Sequence, residues 1–350
     1  VPMLVSINKS ETNGTTISGL FTSLPAGSYT DYLTGLLGGS GLTVNAGSGG
    51  NNPTVSFTLP AHTVAVWRYN SSPATPKAGS IGPTRAQAGV KVVGDFVGNY
   101  KEGRPSEYGL LALFDPLNGA PTAIIDATGL TDMRTGAITA IGAKHLARQG
   151  SKILGHVGAR GTAYWNVRLL DRLFNFDEIR VHSRRPESRD SFAARLSDDL
   201  GKKVFATHDW QSCVEGADIV VEATRLSAPT PMLKTEWIKK GALVVPYGTM
   251  SAVELNLTDI MDKIVVDDWG QCKSGKFGSL RAHVEAGKLT EKTLHAELGQ
   301  IVAGVKTGRQ HDDETILFWH RGLSLSDIAL GHAMLEKAKN LGLGQRMRFY

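Results

Sequence analysis

The sequence predicts an α/β fold: a doubly wound parallel sheet, a smaller mixed α+β domain beside it, and an all-β segment ahead of both. Three observations carry this. From about residue 89 onward, short apolar runs alternate with helical stretches, the pattern of a parallel sheet covered on both faces. One of those runs enters a glycine-rich turn that leads directly into a helix. Charge is also unevenly spread. Of 38 basic and 33 acidic residues, only Lys9, Arg68, Lys77, Arg85, Glu11 and Asp31 fall before residue 88.

Taken in order, residues 1–72 read as the all-β segment. Short β-branched runs at Met3–Asn8, Thr16–Thr22, Ser28–Leu33, Leu42–Asn45, Val55–Leu59 and Thr63–Tyr69 are separated by Gly/Asn/Pro turn clusters. Residues 73–88, rich in Pro, Ala and Gly, read as a linker. Residues 89–150 read as a substrate and dimerisation domain, with strands at Lys91–Phe96, Tyr108–Phe114 and Pro121–Asp126. A helix over Thr131–Gln149 follows, capped by Thr131 or Asp132. Residues 151–320 carry the parallel-sheet alternation, with strands at Lys152–Val157, Glu178–His182, Lys203–Ala206, Asp218–Ala223, Ala242–Tyr247 and Lys263–Asp267. Residues 321–350 hold a last amphipathic helix, Leu325–Asn340, stopped by Gly342 and Gly344 and returning to the substrate domain.

The composition narrows the function classes. A net charge of +5 without a clustered Lys/Arg stripe argues against nucleic acid as a partner. No apolar run approaches the ~20 residues of a membrane helix, and the first residues lack the order of a secretory leader. Cys213 and Cys272 have no metal-ligand spacing, so no metal site is expected; two lone thiols suit a reduced, cytoplasmic setting.

The chemistry begins at Lys152–Ala163. An apolar strand runs into Gly158-Ala159-Arg160-Gly161 and then a helix near Thr162, a junction that offers main-chain N–H groups and a positive helix end to a diphosphate. Gly158 and Ala163 fill the first and third places of the dinucleotide fingerprint Gly-x-Gly-x-x-Gly/Ala, whereas Arg160 stands in the second. In its strand–turn–helix setting this predicts a Rossmann-like dinucleotide site. The next strand ends in Ser183-Arg184-Arg185, with no acid to hold a ribose 2′-hydroxyl. Guanidinium forks match phosphate, so NADP(H) is favoured over NAD(H).

Two resemblances add to this. Thr16–Leu20, Thr22–Pro25, Gly27–Asp31 and Thr63–Trp67 resemble part of the β-sandwich that follows the catalytic barrel in cyclodextrin glycosyltransferases and related α-amylases, and Gly79–Thr84 looks like the opening of that family's next domain. Glycosidase chemistry needs two carboxylates flanking the bond. This stretch has Glu11 and Asp31 in total, so it reads as a structural sandwich, with weak carbohydrate binding through Trp67 and the tyrosines as the alternative.

Residues 89–350 resemble the ornithine cyclodeaminase/mu-crystallin family on an ordered series: Gly89–Asn99, Leu113–Ala123, Leu130–Ala137, Ala143–Ala147, the altered Gly loop, Ala217–Thr224, Glu254–Asn256 and Gly322–Ala329. The resemblance implies a homodimer and an oxidoreductase acting on a 2-amino or cyclic 2-imino acid, either a ketimine reductase or an amino-acid dehydrogenase. It implies that Lys91 and Arg134 hold the substrate carboxylate, that Thr135 reaches a cofactor phosphate, and that Thr224 and Gly248 line the nicotinamide side. Arg134 has the alternative of pairing with Asp132 or another acid. His320 is a catalytic candidate or a helix-start histidine. Glu222, next to Thr224, reads equally as a structural acid. Cyclodeaminases carry an Asp where this chain has Gly248, which counts against ornithine cyclisation. That activity, a non-catalytic NADPH-binding protein, and a fusion with a carbohydrate-binding sandwich remain the alternatives. In that family a segment ahead of the Gly-Val-Lys motif supplies strands to the substrate sheet; here the sandwich-like sequence stands in its place.

Overall fold

The structure is a computed structural model. It describes residues 87–105, 107–159 and 161–347 and, before them, the backbone of six strands. Arg160, the side chains of residues 1–86 with Trp67 among them, the turn clusters between the first six strands and most of the expected linker lie outside the described residues.

Strands β1 (Met3–Asn8), β2 (Thr15–Phe21), β3 (Gly27–Asp31), β4 (Leu42–Asn45), β5 (Thr54–Leu59) and β6 (Thr63–Tyr69) form an antiparallel sheet in the order β1-β6-β3-β4-β5-β2. Strands β7 (Ala88–Asp95), β8 (Glu107–Phe114) and β9 (Pro121–Asp126) form a three-stranded sheet in sequence order, and helix α1 (Thr128–Leu146) follows. That helix starts earlier than the sequence predicts. The Thr128 N–H donates to Asp126 Oδ1 at 2.9 Å, so Thr131 and Asp132 lie inside the first turns rather than capping them. The caps are misplaced because Thr128 and Gly129, weak helix formers, are carried into the helix by Asp126.

Next come β10 (Ile153–Val157), α2 (Thr162–Phe174), β11 (Glu178–His182), α3 (Pro186–Leu200), β12 (Val204–Ala206), α4 (Trp210–Val214), β13 (Ile219–Glu222), β14 (Leu243–Pro246), β15 (Lys263–Val266), α5 (Trp269–Cys272), α6 (Arg281–Glu285), β16 (Ala296–Glu297), α7 (Leu298–Val302), β17 (Ile316–Trp319) and α8 (Ser324–Asn340). The strands pair in parallel, in the order β12-β11-β10-β13-β14-β17-β15-β16. This is the doubly wound sheet the sequence predicts. Its two covered faces follow from strand alternation. Ile219, Val221, Leu243, Val245, Ile316 and Phe318 enter one core with α1, α2 and α3. Val220, Val244, Ile264, Val266, Leu317 and Trp319 enter another with α4 and Trp269.

Strands β16 and β17 are not predicted from the sequence. A four-residue apolar run cannot be told from a piece of buried helix by periodicity, and β17 inserts between β14 and β15, strands that come well before it in the chain. The chain divides into two compact units, and the parallel sheet, α1, α8 and the residues below belong to the unit formed by Val90–Leu111 and Ile125–Gly344.

Candidate active site

Strand β10 ends at the junction the sequence singles out. Gly158 has φ +114, and its N–H donates to the His182 carbonyl at 2.8 Å. A Cβ there would lie 2.7 Å from the Ala223 carbonyl oxygen, so only glycine lets β10 close onto the end of β13. Helix α2 then starts at Thr162 with no side-chain cap and no acid in its first turn. Its first N–H groups therefore remain available for an anion, as in other helix N-termini that bind phosphate. Ala163 is fully buried beneath, and Ala159 is half-buried. Tyr247, at the end of β14, braces the helix: its hydroxyl meets Thr162 Oγ1 at 2.8 Å and accepts from Asn166 Nδ2 at 3.0 Å. At the end of β11, Ser183 is half-buried while Arg184 and Arg185 are exposed.

On the acid side the structure joins residues far apart in sequence. Lys91 of β7 donates from Nζ to Asp327 Oδ1 at 2.7 Å and to Thr131 Oγ1 at 3.0 Å. Arg134 of α1 donates from Nε to the same Asp327 oxygen at 3.0 Å. All three side chains are nearly enclosed, at 9%, 14% and 4% exposure. The acid hydrogen-bonded to Arg134 is thus Asp327, not Asp132. Gly322, at φ +86, lies against the Arg134 guanidinium.

Asp132 points elsewhere, toward the dinucleotide loop, with Oδ1 3.1 Å from where a Gly161 Cβ would stand. Helix α1 therefore carries one side chain against the loop and, two residues on, another in the cation pair. Burial, with the Glu107 charge behind it, pushes the Asp132 carboxyl up to about 6, against the pull of Arg134. An acid whose folded pKa is raised destabilises the folded state increasingly as pH rises past its unfolded value near 3.8, fully so above about 6. Asp132→Asn should therefore leave stability unchanged near pH 3 and raise it by about 2 kcal/mol at pH 7.5. Thermal melts across that range check this; an increment that does not grow with pH would sink it.

Other predicted residues sit differently. Thr135 is buried, and its hydroxyl donates to the Thr131 carbonyl one turn back at 2.8 Å. His320 is 1% exposed and directly follows β17, not a helix start, since α8 begins at Ser324. Its ring stacks on Tyr247 at 4.8 Å between centroids, and Nε2 meets Thr139 Oγ1 at 2.8 Å. Burial, then the Arg134 charge, pushes it down to about 3, which favours the neutral imidazole. Thr224 donates its N–H to Glu222 Oε1 at 2.7 Å, and its hydroxyl bonds the same oxygen. Glu222 is fully buried, also takes the Ser279 hydroxyl, and is pushed up by burial. Its carboxylate lies directly under Gly248, where a Cβ would meet Oε2 at 2.7 Å. Asp327 and Glu222 are the functional-looking acids to which the sequence alone assigns no site role. The signal for Asp327 was its place inside Gly322–Ala329; for Glu222 it was its neighbour Thr224. Among the described residues, no cluster of His, Cys, Asp and Glu has the arrangement of a metal site, and no helix is long and apolar enough to cross a membrane.

A parallel sheet with a glycine-bent strand-to-helix junction and an enclosed two-cation pair puts this chain in the class of dinucleotide-fold α/β proteins. It belongs to the ornithine cyclodeaminase/mu-crystallin family, whose sequence profile matches residues 79–341. It is 32% identical to an alanine dehydrogenase of Archaeoglobus fulgidus over 267 residues, 75% of this chain and 80% of that one. Among solved structures it is similar to the Delta(1)-pyrroline-2-carboxylate reductase of Thermococcus litoralis in complex with NADH and L-proline, at 32% identity and a TM-score of 0.68 over 74% of this chain and 80% of that one. It is also similar to the iminosuccinate reductase of Paracoccus denitrificans in complex with NAD+, at 28% identity and a TM-score of 0.67 over 75% and 80% of the two chains. A cyclomaltodextrin glucanotransferase, CldA, shares 46% identity over 19% of this chain and 13% of its own, at a TM-score of 0.17, too low to carry an argument about architecture.

Proposed function

We propose that this protein is a nicotinamide-dinucleotide-dependent oxidoreductase of 2-amino or cyclic 2-imino acids, an imine reductase or amino-acid dehydrogenase. The carrying observation is the placement of Asp132 and Arg134 on α1, one against the Gly158–Ala163 loop and the other in the enclosed pair with Lys91. The relatives named dehydrogenase and reductase support it. In this reading residues 89–150 with α8 shape the acid's side and residues 151–320 the dinucleotide's.

The bare Gly158 and the uncapped start of α2 fit a diphosphate. When bound, the cofactor supplies or takes the hydride at the substrate's α-carbon. The chain's own residues bind and orient. Arg134 offers its Nη fork, and Lys91 its remaining N–H, to one carboxylate. Thr224, Gly248 and the Tyr247–His320 stack close the nicotinamide side. The proposed preference is for NADP(H): Ser183, Arg184 and Arg185 offer a hydroxyl and two exposed guanidiniums to a ribose phosphate. The exposed apolar residues Val90 and Val92 of β7 and Tyr108 and Leu110 of β8 support a homodimer, in which a second copy covers that face. Light scattering at twice the monomer mass is the expected result.

The test of function is stoichiometric. With 1-pyrroline-2-carboxylate, net NADPH oxidation matching proline formed is expected. Ammonia release from ornithine without net cofactor turnover would replace this reading with a cyclodeaminase, and cofactor binding without any turnover would leave a binding protein. Arg184→Ala should raise the KM for NADPH about 10-fold and leave that for NADH unchanged. Better use of NADH than NADPH, with no effect of this substitution, would overturn the NADP preference.

A further inference from the structure

Resting on the reading of Lys91 and Arg134 as a carboxylate clamp, we infer that Asp327 is the positioning residue that sets the clamp's geometry and charge. A lysine and an arginine brought together repel each other, and each long side chain is free to turn away. Here both donate to one carboxylate oxygen, Asp327 Oδ1, at 2.7 and 3.0 Å. Because Arg134 gives Asp327 its Nε, its Nη1 and Nη2 groups are not spent on that acid, and the guanidinium lies against Gly322. Among the described residues no side-chain or backbone oxygen takes a hydrogen bond from those groups. Lys91 divides its N–H groups between Thr131 and Asp327 and keeps one more. Two cations and one enclosed anion leave a single net positive charge, which matches one substrate carboxylate.

Asp327 is itself fixed from outside the clamp. It lies in the first turn of α8, 3% exposed. Further along, Gly331 packs that helix directly against Leu111 of β8 and Leu130 of α1. The helix that carries Arg134, and the strand paired with the one that carries Lys91, therefore neighbour the helix that carries their shared acceptor. The loop from β17, pinned where the Arg321 and Gly322 N–H groups donate to Asp267 Oδ2 at 2.9 and 2.8 Å, sets where α8 begins.

The test separates positioning from mere structure. In the full chain with NADPH, Asp327→Asn should raise the KM for 1-pyrroline-2-carboxylate about 30-fold while kcat falls less than about threefold, the pattern of lost binding rather than lost chemistry. NADPH affinity should stay within about twofold. In an Arg134→Gln background the same change should add less than about threefold, because residues acting as one unit are not additive. Asp327→Glu keeps the charge and moves it by a methylene; it should raise KM about 10-fold and lower the melting temperature by only a few degrees. Calorimetry adds a readout without turnover: wild type bound to NADPH should prefer L-proline to L-prolinamide, and Asp327→Asn should lose that preference. An unchanged KM in both Asp327 variants, or loss of NADPH binding together with KM, would overturn the inference. Absence of turnover and of L-proline binding in wild type would instead overturn the function on which it rests.

Discussion

Gly322→Ala should reduce kcat/KM for the imino acid about 100-fold while leaving dinucleotide affinity within about threefold and the fold intact. An alanine Cβ at this position would overlap the Arg134 guanidinium, lying 2.8 Å from Cζ and 3.1 Å from Nη2. Something must yield. The main chain cannot, because the Arg321 and Gly322 N–H groups both hold Asp267 Oδ2, and Asp267 is buried, with its other oxygen taking the Asp268 N–H at 2.9 Å. The guanidinium is the end of a flexible side chain, so it is what moves. The φ of +86 adds only about 1–2 kcal/mol of backbone strain for alanine. The result is an uncommon pairing, a modest stability loss with a large functional one. Kinetics with the imino acid, dinucleotide titration and a thermal melt on one preparation check it. A variant with wild-type kcat/KM would show that Arg134 does not need its present place.

The parts of this fold that were legible in the sequence are those where one local signal suffices. Central strands such as Ile219–Glu222, apolar up to its last residue, and Leu243–Pro246 stand out between polar turns because helices and loops cover both sheet faces. The β10–α2 junction is legible because a positive φ and a close backbone approach leave glycine little competition at position 158. The six N-terminal strands show through their turn clusters. What was illegible depends on pairing across long separations. Asp327 meets Lys91 across 236 residues and Arg134 across 193. No periodicity encodes such a meeting, so Asp132, the near acid, looked as good a partner. The enclosure of His320 is hidden for the same reason: once Ile316–Trp319 is a central strand, the residue after it is enclosed by Tyr247 and Phe318. A sequence that hides β17 hides that enclosure too.

Glu222 and Gly248 belong together, and this yields the second large effect. The family resemblance places an Asp at position 248 in cyclodeaminases, so Gly248→Asp looks like a restoration. The structure argues that it is the opposite. A Cβ at 248 would stand 2.7 Å from Glu222 Oε2 and 2.8 Å from the Thr224 carbonyl oxygen, and the added carboxylate would enter the same enclosed space. Glu222 is already pushed up by burial, with the Ser279 and Thr224 hydroxyls bonded to it. Two acids at that separation in a buried site cannot both ionise. Gly248→Asp should therefore lose about 4 kcal/mol or more, seen as a melting temperature about 10 °C lower, and should release no ammonia from ornithine. Glu222→Ala in the same chain removes the competing acid but not the Thr224 carbonyl, so the double variant should recover part of the loss, not all. The double variant is therefore where an aspartate introduced in place of Gly248 has room to act on substrate. A single Gly248→Asp protein that melts with wild type would mean that Glu222 can swing away, and that the space above it was open to a loop acid throughout.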